Sequence, residues 1–192
     1  MSAQPIERLP YAQGWTVADL DWLPEDGHRY ELIDGVVHVR PSPSDKHQEV
    51  TGVLWALLRA VAPAGLRATH GVGVAIAADG FLIPDVLVVR GDRPRERGDF
   101  AADDVLLAVE VVSPSTRSID RWYKPHLYAS AGIPFYWRIE LDPLHQVAYR
   151  LDTSAGEAGE GEYVQIARVD AGNPFRADEP FPVEFDPAQL LP

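Results

Sequence analysis

The chain has 192 residues and a formal net charge of −12, and its composition of 46% hydrophobic and 24% charged residues is ordinary for a soluble globular domain. No apolar run reaches the roughly 18 residues of a membrane span, so we expect no membrane partner. The absence of cysteine excludes disulfides and thiolate metal sites but does not determine the compartment, and we take the cytoplasm as the default. The acidic charge argues against loose, nonspecific binding to nucleic acid more than against a local site.

The first predicted elements are a short helix, a hairpin and a longer helix. Residues 16–25 could form a short helix. Asp34 and Gly35 stand between the apolar-rich arms of residues 30–40, which is the signature of a type I′ turn that joins two antiparallel strands. Residues 45–63 place apolar side chains at helical spacing, which predicts a helix.

After this helix the sequence changes to short apolar runs. Strands are predicted at 71–77, 81–89 and 105–112, a second helix at 117–132, and further strands at 134–140, 146–152 and 163–169. This order predicts an α/β fold with a mixed sheet flanked by helices, an N-terminal β-hairpin and a C-terminal β extension. We expect one domain over residues 1–192, with a core of about 15–152 and a peripheral β extension over 153–192.

Two carboxylates lie inside apolar strands. Glu110 stands in the run LLAVEVV, and Asp85 follows Pro84 in the equally apolar FLIPDVLVV. Burying an unpaired carboxylate costs several kcal/mol. For one such acid three explanations are open: a strand register that exposes it, a structural salt bridge, or a metal or catalytic site.

The presence of two such acids favours a shared cation. If the two strands are neighbours, the carboxylates of Asp85 and Glu110 could converge, and one would have to take up a proton unless a cation lies between them. Mg²⁺ prefers oxygen ligands and resolves that conflict. The alternative is a network that serves only stability, in which an arginine neutralises each acid.

The segments around these acids resemble a known nuclease family. They are YELIDGVV (30–37), His47 at a helix start, PDVLVV (84–89), VEVVSPST (109–116), Lys124 and YASAGIPFYWRIE (128–140). Together they resemble the Uma-two family of restriction endonucleases, within the PD-(D/E)XK nuclease superfamily, over roughly residues 15–152. The resemblance implies a restriction-endonuclease-like fold and a phosphodiesterase site with a divalent metal ion.

The resemblance also implies a role for each site residue. Asp85 and Glu110 would hold Mg²⁺, or Mn²⁺ in its place, and Glu31 would be an additional acid near the ion. The ion would lower the pKa of a bound water for hydrolysis, and Lys124 would orient that water or stabilise the developing charge. His47 could act as an acid or base or contact phosphate, or it could only make a local hydrogen bond.

The lysine departs from the superfamily motif. In E-x-K the lysine stands two residues after the glutamate, where this chain has Val112. Lys124 fits a lysine relocated to the following helix, whereas Lys46, the other lysine of the chain, is typical of a solvated loop. Because Pro125 fits only the first turn of a helix, we expect the helix to begin near Lys124.

These observations predict a metal-dependent endonuclease that acts on nucleic acid, with DNA as the expected substrate, and that could be a homodimer. The alternative is a binding or regulatory module that keeps the nuclease fold without its chemistry, which Val112 and the acidic charge favour. The basic segment 90–97 is either an exposed loop or a contact with the phosphate backbone.

Overall fold

The computed structural model describes residues 14–40, 42–91, 99–112, 119–154 and 161–191. Its strands are β1 (Arg29–Ile33), β2 (Val36–Arg40), β3 (Leu66–His70), β4 (Val74–Ala77), β5 (Gly80–Leu82), β6 (Val86–Arg90), β7 (Phe100–Ala101), β8 (Val105–Val112), β9 (Phe135–Leu141), β10 (Leu144–Asp152), β11 (Glu162–Asp170), β12 (Phe175–Ala177) and β13 (Val183–Phe185). The α-helices are α1 (Asp45–Val61) and α2 (Lys124–Ser130), with a π-helical turn at Ile119–Tyr123 and 3₁₀ helices at Val17–Trp22, Ala102–Asp104 and Pro187–Leu190. Most of the basic segment 90–97, interpreted above as an exposed loop or a contact with the phosphate backbone, lies outside the described residues.

The described residues form three sheets, of which the smallest is the antiparallel pair β12–β13. The larger sheet has the strand order β11-β10-β9-β8-β6-β3, and its β8–β9 pair is parallel while the other pairs are antiparallel. The second sheet has the order β2-β1-β5-β4-β7 and contains the N-terminal hairpin. The predicted fold class is confirmed: a mixed sheet is flanked by helices, with an N-terminal hairpin and C-terminal strands.

The predicted hairpin turn has the expected backbone geometry. Ile33 pairs with Val36, which leaves Asp34 and Gly35 as a two-residue turn. Both turn residues have positive φ, 49° and 74°, as a type I′ turn requires. A Cβ on Gly35 would also lie 3.2 Å from the Cα of Gly14. Glycine is therefore needed at position 35 both for the turn and for the close approach of the preceding segment.

Helix α1 covers one face of the larger sheet. Its buried apolar residues pack with alternate residues of β8 and with C-terminal side chains into one core; these are Val50, Leu54, Leu58, Leu107, Val109, Val111, Phe175, Phe185 and Leu190. Ala108 belongs instead to a second core that contains Tyr128 of α2. Because alternate residues of a strand point to opposite faces, Glu110 faces α2 together with Ala108.

The strand predicted at 81–89 is wrong in one respect that matters for the site. It is divided into β5 and β6, which belong to different sheets, and residues 83–85 link them. Pro84 cannot donate to a strand ladder, which is consistent with a break at this point. Asp85 consequently lies in the link immediately before β6 and not within a regular strand.

The second predicted helix is shorter than expected, and four strands were not predicted individually: β3, β7, β12 and β13. Residues 117 and 118 lie outside the described residues, and α2 begins only at Lys124, after the π-helical turn. Strand β3 was missed because its sequence, LRATH, has few apolar residues. No helix in the described ranges has the length and apolar character needed to cross a membrane.

Candidate functional site

The five predicted site residues come from five different elements. Glu31 lies in β1, His47 in α1, Asp85 in the link before β6, Glu110 in β8 and Lys124 at the start of α2. All five are buried, and none is more than 6% exposed. The division of the predicted strand at Pro84 is therefore what brings residues of both sheets to one place.

Lys124 is at the centre of this cluster. Its Nζ lies 2.8 Å from Glu110 Oε1 and 2.9 Å from Glu31 Oε1. Burial acts to lower the pKa of Lys124, but the carboxylates of Glu110 and Glu31 outweigh it and raise that pKa. The ammonium group therefore stays charged. Pro125 stands in the first turn of α2, so the helix begins at the position expected from Pro125 and not at residue 117.

The carboxylate of Asp85 is held by two donors. Its Oδ2 accepts the backbone N–H of Val111 at 2.7 Å and lies 3.2 Å from His47 Nε2. Burial acts to raise the pKa of Asp85, but the hydrogen bond and charge of His47, the charge of Lys124 and the Val111 N–H lower it below its ordinary value. Asp85 is consequently ionised at neutral pH.

Glu110 has one oxygen that is satisfied and one that is not. Oε1 accepts from Lys124 Nζ at 2.8 Å and from the Tyr128 hydroxyl at 2.6 Å. Oε2 is buried and has no hydrogen-bond partner among the residues that the structure describes. Burial raises the pKa of Glu110; Lys124 opposes this shift, Asp85 adds to it, and the pKa reaches about 8. The unpartnered oxygen is a place where a cation could be ligated.

Three further residues belong to the cluster and were not among the predicted site residues. Arg40 lies with Nε 3.4 Å from Glu31 Oε2 and with Nη1 3.5 Å from Asp120 Oδ1. Arg40 and Asp120 are two of the three residues, and Tyr128 is the third, since its hydroxyl donates a hydrogen bond to Glu110. Asp120, Lys124 and Tyr128 are spaced by four residues, and this spacing is a sequence signal for one helical face.

Acidic groups outnumber permanent cations in the described part of the cluster. Its buried carboxylates are Glu31, Asp85, Glu110 and Asp120, and its permanent cations are Arg40 and Lys124. Within the described ranges, no arginine forms a salt bridge with Asp85 or Glu110. Among the described residues, Lys124 pairs with Glu110 and His47 lies against Asp85, at the places where a network serving only stability would have arginines.

The donor set fits a hard divalent cation that keeps most of its water. No group of three or more histidine, aspartate and glutamate side chains in the described ranges is arranged as a metal cage. Mg²⁺ does not need such a cage, because it is usually held by one or two carboxylates and completes its coordination with waters and substrate phosphate. An ionised Asp85 and the unpartnered Oε2 of Glu110 supply two such carboxylates.

We predict that divalent metal binding depends steeply on pH. Because the pKa of Glu110 is about 8, its carboxyl group must lose a proton before it ligates a cation. The apparent affinity for Mg²⁺ should fall about tenfold for each pH unit below that value, and binding at neutral pH should release about one proton. Calorimetry in buffers that differ in ionisation enthalpy measures the released proton. Glu110→Gln should abolish the release, and an affinity that does not change with pH would contradict the prediction.

The same group should make the metal-free protein less stable as the pH rises. The folded chain keeps the Glu110 proton up to about pH 8, whereas the unfolded chain loses it near the ordinary value of 4.5. The folded state binds more protons in this window, so its free energy of unfolding falls as the pH rises through it. Asp85 contributes a pH dependence of the opposite sign, because its pKa is lowered from 3.8. Its contribution to the free energy of unfolding is present above that value and is lost as the pH falls. Urea unfolding at several pH values should show a shallower decline above pH 4.5 in Glu110→Gln.

Comparisons with known proteins agree with this fold. The Uma2 family model, described as "Putative restriction endonuclease", matches residues 17–189. The crystal structure of a protein from Anabaena variabilis, described as a "putative nuclease belonging to DUF820", is similar with a TM-score of 0.65 and 21% identity, over 91% of this chain and 96% of that one. At this identity the likeness shows the fold alone. No protein with a curated description matches. Because the family model spans most of the sequence, the chain belongs to the Uma2 family.

Proposed function

We propose that this protein is a divalent-metal-dependent endonuclease that hydrolyses phosphodiester bonds in nucleic acid, with DNA as its substrate. Its family and its fold indicate a restriction-endonuclease-like nuclease. The observation that carries the proposal is Glu110 Oε2, a buried carboxylate oxygen without a partner in the described residues. It lies in a cluster with ionised Asp85, where acids outnumber cations.

Asp85 and Glu110 are the proposed metal ligands, with Mg²⁺ as the ion and Mn²⁺ as its substitute. Such an ion, when bound, lowers the pKa of a coordinated water and polarises a phosphate oxygen. The Val111 N–H and His47 fix the carboxylate of Asp85. Lys124 and Tyr128 both engage Oε1 of Glu110, which leaves Oε2 for the ion.

Lys124 is the proposed donor to the charge that develops on the phosphate. An ammonium group has three N–H donors, and the carboxylates of Glu110 and Glu31 lie within reach of two of them. Asp120 Oδ1, at 3.8 Å, is too distant for a normal hydrogen bond. Among the described residues, one N–H is thus left to donate to a phosphate oxygen or to the attacking water, where positioned donors stabilise the transition state.

Glu31 and His47 are proposed as positioning residues. Glu31 Oε1 accepts the backbone N–H of Ile83 at 2.9 Å, so the side chain that faces Lys124 also holds the link that carries Asp85. His47 Nε2 lies against Asp85, while its Nδ1 is buried without a hydrogen-bond partner in the described ranges. We assign His47 to orienting Asp85, since its reachable nitrogen is already used there.

The test is a nicking assay on supercoiled plasmid with Mg²⁺, with Mn²⁺ and with EDTA. The wild-type protein should nick the plasmid with either metal and not in EDTA. Asp85→Asn should lose this activity, whereas Asp79→Asn, a change at an exposed aspartate, should retain it. Metal binding without cleavage of any nucleic acid would instead favour the alternative, a module that binds without chemistry. The cytoplasmic location and the homodimer stay predictions.

A further inference from the structure

A cavity opens on the side of α2 that faces away from the acidic cluster. It has a volume of about 580 Å³, and Pro125, His126 and Ala129 of α2 form one of its walls. Strands β9, β10 and β11 form the opposite wall. The lining includes three arginines and three aromatic residues: Arg121, Arg138, Arg168, Trp122, Tyr149 and Tyr163.

One buried acid of this cavity is neutralised by two arginines. Arg121 donates to both oxygens of Glu140 at 2.7 Å, and Arg138 Nε lies 2.9 Å from the same carboxylate. Burial acts to raise the pKa of Glu140, but Arg121 and Arg138 outweigh it and lower that pKa, so Glu140 stays ionised. The three side chains together keep one net positive charge.

A third arginine adds to this charge at the edge of the cavity. Arg168 is 53% exposed, and its ion pair with Asp170 is long, at 3.6 Å, and solvated. Such surface pairs contribute little free energy, so the ion pair with Asp170 holds Arg168 only weakly. Glu162 is the second acid of the lining, so three arginines face two glutamates. With Asp170 included, three arginines lie beside three carboxylates, so this cavity is close to neutral in a chain whose net charge is −12.

The aromatic residues give the cavity flat apolar surfaces. Trp122 is 79% exposed at the rim, although a tryptophan gains free energy when it is covered. Tyr149 and Tyr163 are partly buried, and the Arg138 guanidinium lies 5.6 Å from the centre of the Tyr149 ring. Exposed aromatic rings interleaved with arginines are the surfaces on which unpaired nucleobases stack.

The cavity is adjacent to the proposed catalytic cluster. Glu110 of β8 and Arg138 of β9 are direct partners in the register of these strands, so their side chains lie on the same face of the sheet. Helix α2 and the turn before it lie between the two sites and contribute side chains to both. Lys124 points to Glu110, and Trp122 lines the cavity.

We propose that this cavity receives one unpaired nucleotide of the nucleic acid, with its base against Trp122 and its phosphate at Arg168. The inference rests on the proposed function, because it names the form of substrate that the same protein binds. A volume of about 580 Å³ lies within the range of roughly 300–1,000 Å³ that is typical of small-ligand pockets. It admits a single nucleotide and not a duplex, whose bases present no free face for stacking.

The test is fluorescence anisotropy with a labelled single-stranded oligonucleotide and with a blunt duplex of the same sequence, both in EDTA. The single strand should bind more tightly than the duplex. Trp122→Ala should weaken single-strand binding about tenfold, the typical loss for one stacked base. Arg168→Ala should weaken it several-fold and reduce the salt dependence by about one counterion.

Matched controls are available for both substitutions. Trp22 is 62% exposed and Arg176 is 70% exposed, and neither lines this cavity. Trp22→Ala and Arg176→Ala should bind the single strand as the wild type does. Equal affinities of Trp122→Ala and Trp22→Ala would overturn the inference. Duplex binding as tight as single-strand binding would also overturn it, as would binding of free AMP as tight as that of the oligonucleotide.

The two proposals can fail separately, because EDTA removes the metal and leaves binding to be measured alone. A protein that binds the strand through Trp122 but cleaves nothing supports this inference and overturns the proposed endonuclease. A protein whose cleavage depends on Asp85 but whose binding is unchanged in Trp122→Ala supports the proposed endonuclease and overturns this inference.

Discussion

Replacing Asp85 with asparagine should weaken Mg²⁺ binding by more than about a hundredfold, since even the hydrogen-bond partners of metal ligands contribute roughly 10–100-fold to affinity. Asparagine keeps an oxygen that can accept the Val111 N–H, so the link before β6 should hold its shape. It removes the negative charge that a hard cation requires. Titration calorimetry with the purified protein measures the difference.

The control for this prediction is Asp79→Asn, which makes the same chemical change at an exposed position. It should leave Mg²⁺ affinity within about twofold of wild type, because exposed charges contribute little at a distance. Unchanged Mg²⁺ binding in Asp85→Asn would remove Asp85 from the site, and the proposed metal centre with it.

Replacing Lys124 with methionine should lower the free energy of unfolding by about 3–5 kcal/mol. The loss of one partner from a buried ion pair leaves an uncompensated charge in the interior. Lys124 is fully buried, and its removal leaves Glu31 and Glu110 without the cation that both contact. The pKa of Glu110, already about 8, should rise further because Lys124 acts to lower it. Urea unfolding near neutral pH measures the change.

The chain offers a matched control for this substitution in Lys46, its other lysine. Lys46 is exposed, and its Nζ donates to the backbone carbonyl of Leu141 at 3.2 Å. Lys46→Met should change the free energy of unfolding by no more than about 0.5 kcal/mol, as is usual for surface substitutions. If the two methionine variants were equally stable, the buried network around Lys124 would not exist in solution.

The position of the two acids could be anticipated from the sequence, because a carboxylate in an apolar run needs a partner. Asp85 and Glu110 stand out for this reason alone. The hairpin could also be anticipated, since Asp34-Gly35 determines its turn locally. Lys124 came from the resemblance to the Uma-two family, because nothing local indicates that a helix residue will replace the lysine absent at position 112.

The remaining partners depend on contacts between distant segments. Arg40 stands at the end of β2 and reaches Asp120, eighty positions further along the chain; no local pattern predicts this pairing. The break at Pro84 was missed because residues 81–89 are apolar on both sides of Pro84 and Asp85, and such a run does not show which sheet each half joins. Charge pairs between distant elements are determined by tertiary packing, and the spacing of residues within one helix or strand gives no information about that packing.

The central claim is that Asp85 and Glu110 together hold one divalent ion. Anomalous diffraction from a crystal soaked in Mn²⁺ tests it most directly. The account predicts one anomalous peak with a carboxylate oxygen of each residue at about 2.2 Å, and with Oε2 as the Glu110 ligand. An ion bound elsewhere, or one that contacts neither of these carboxylates, would contradict it.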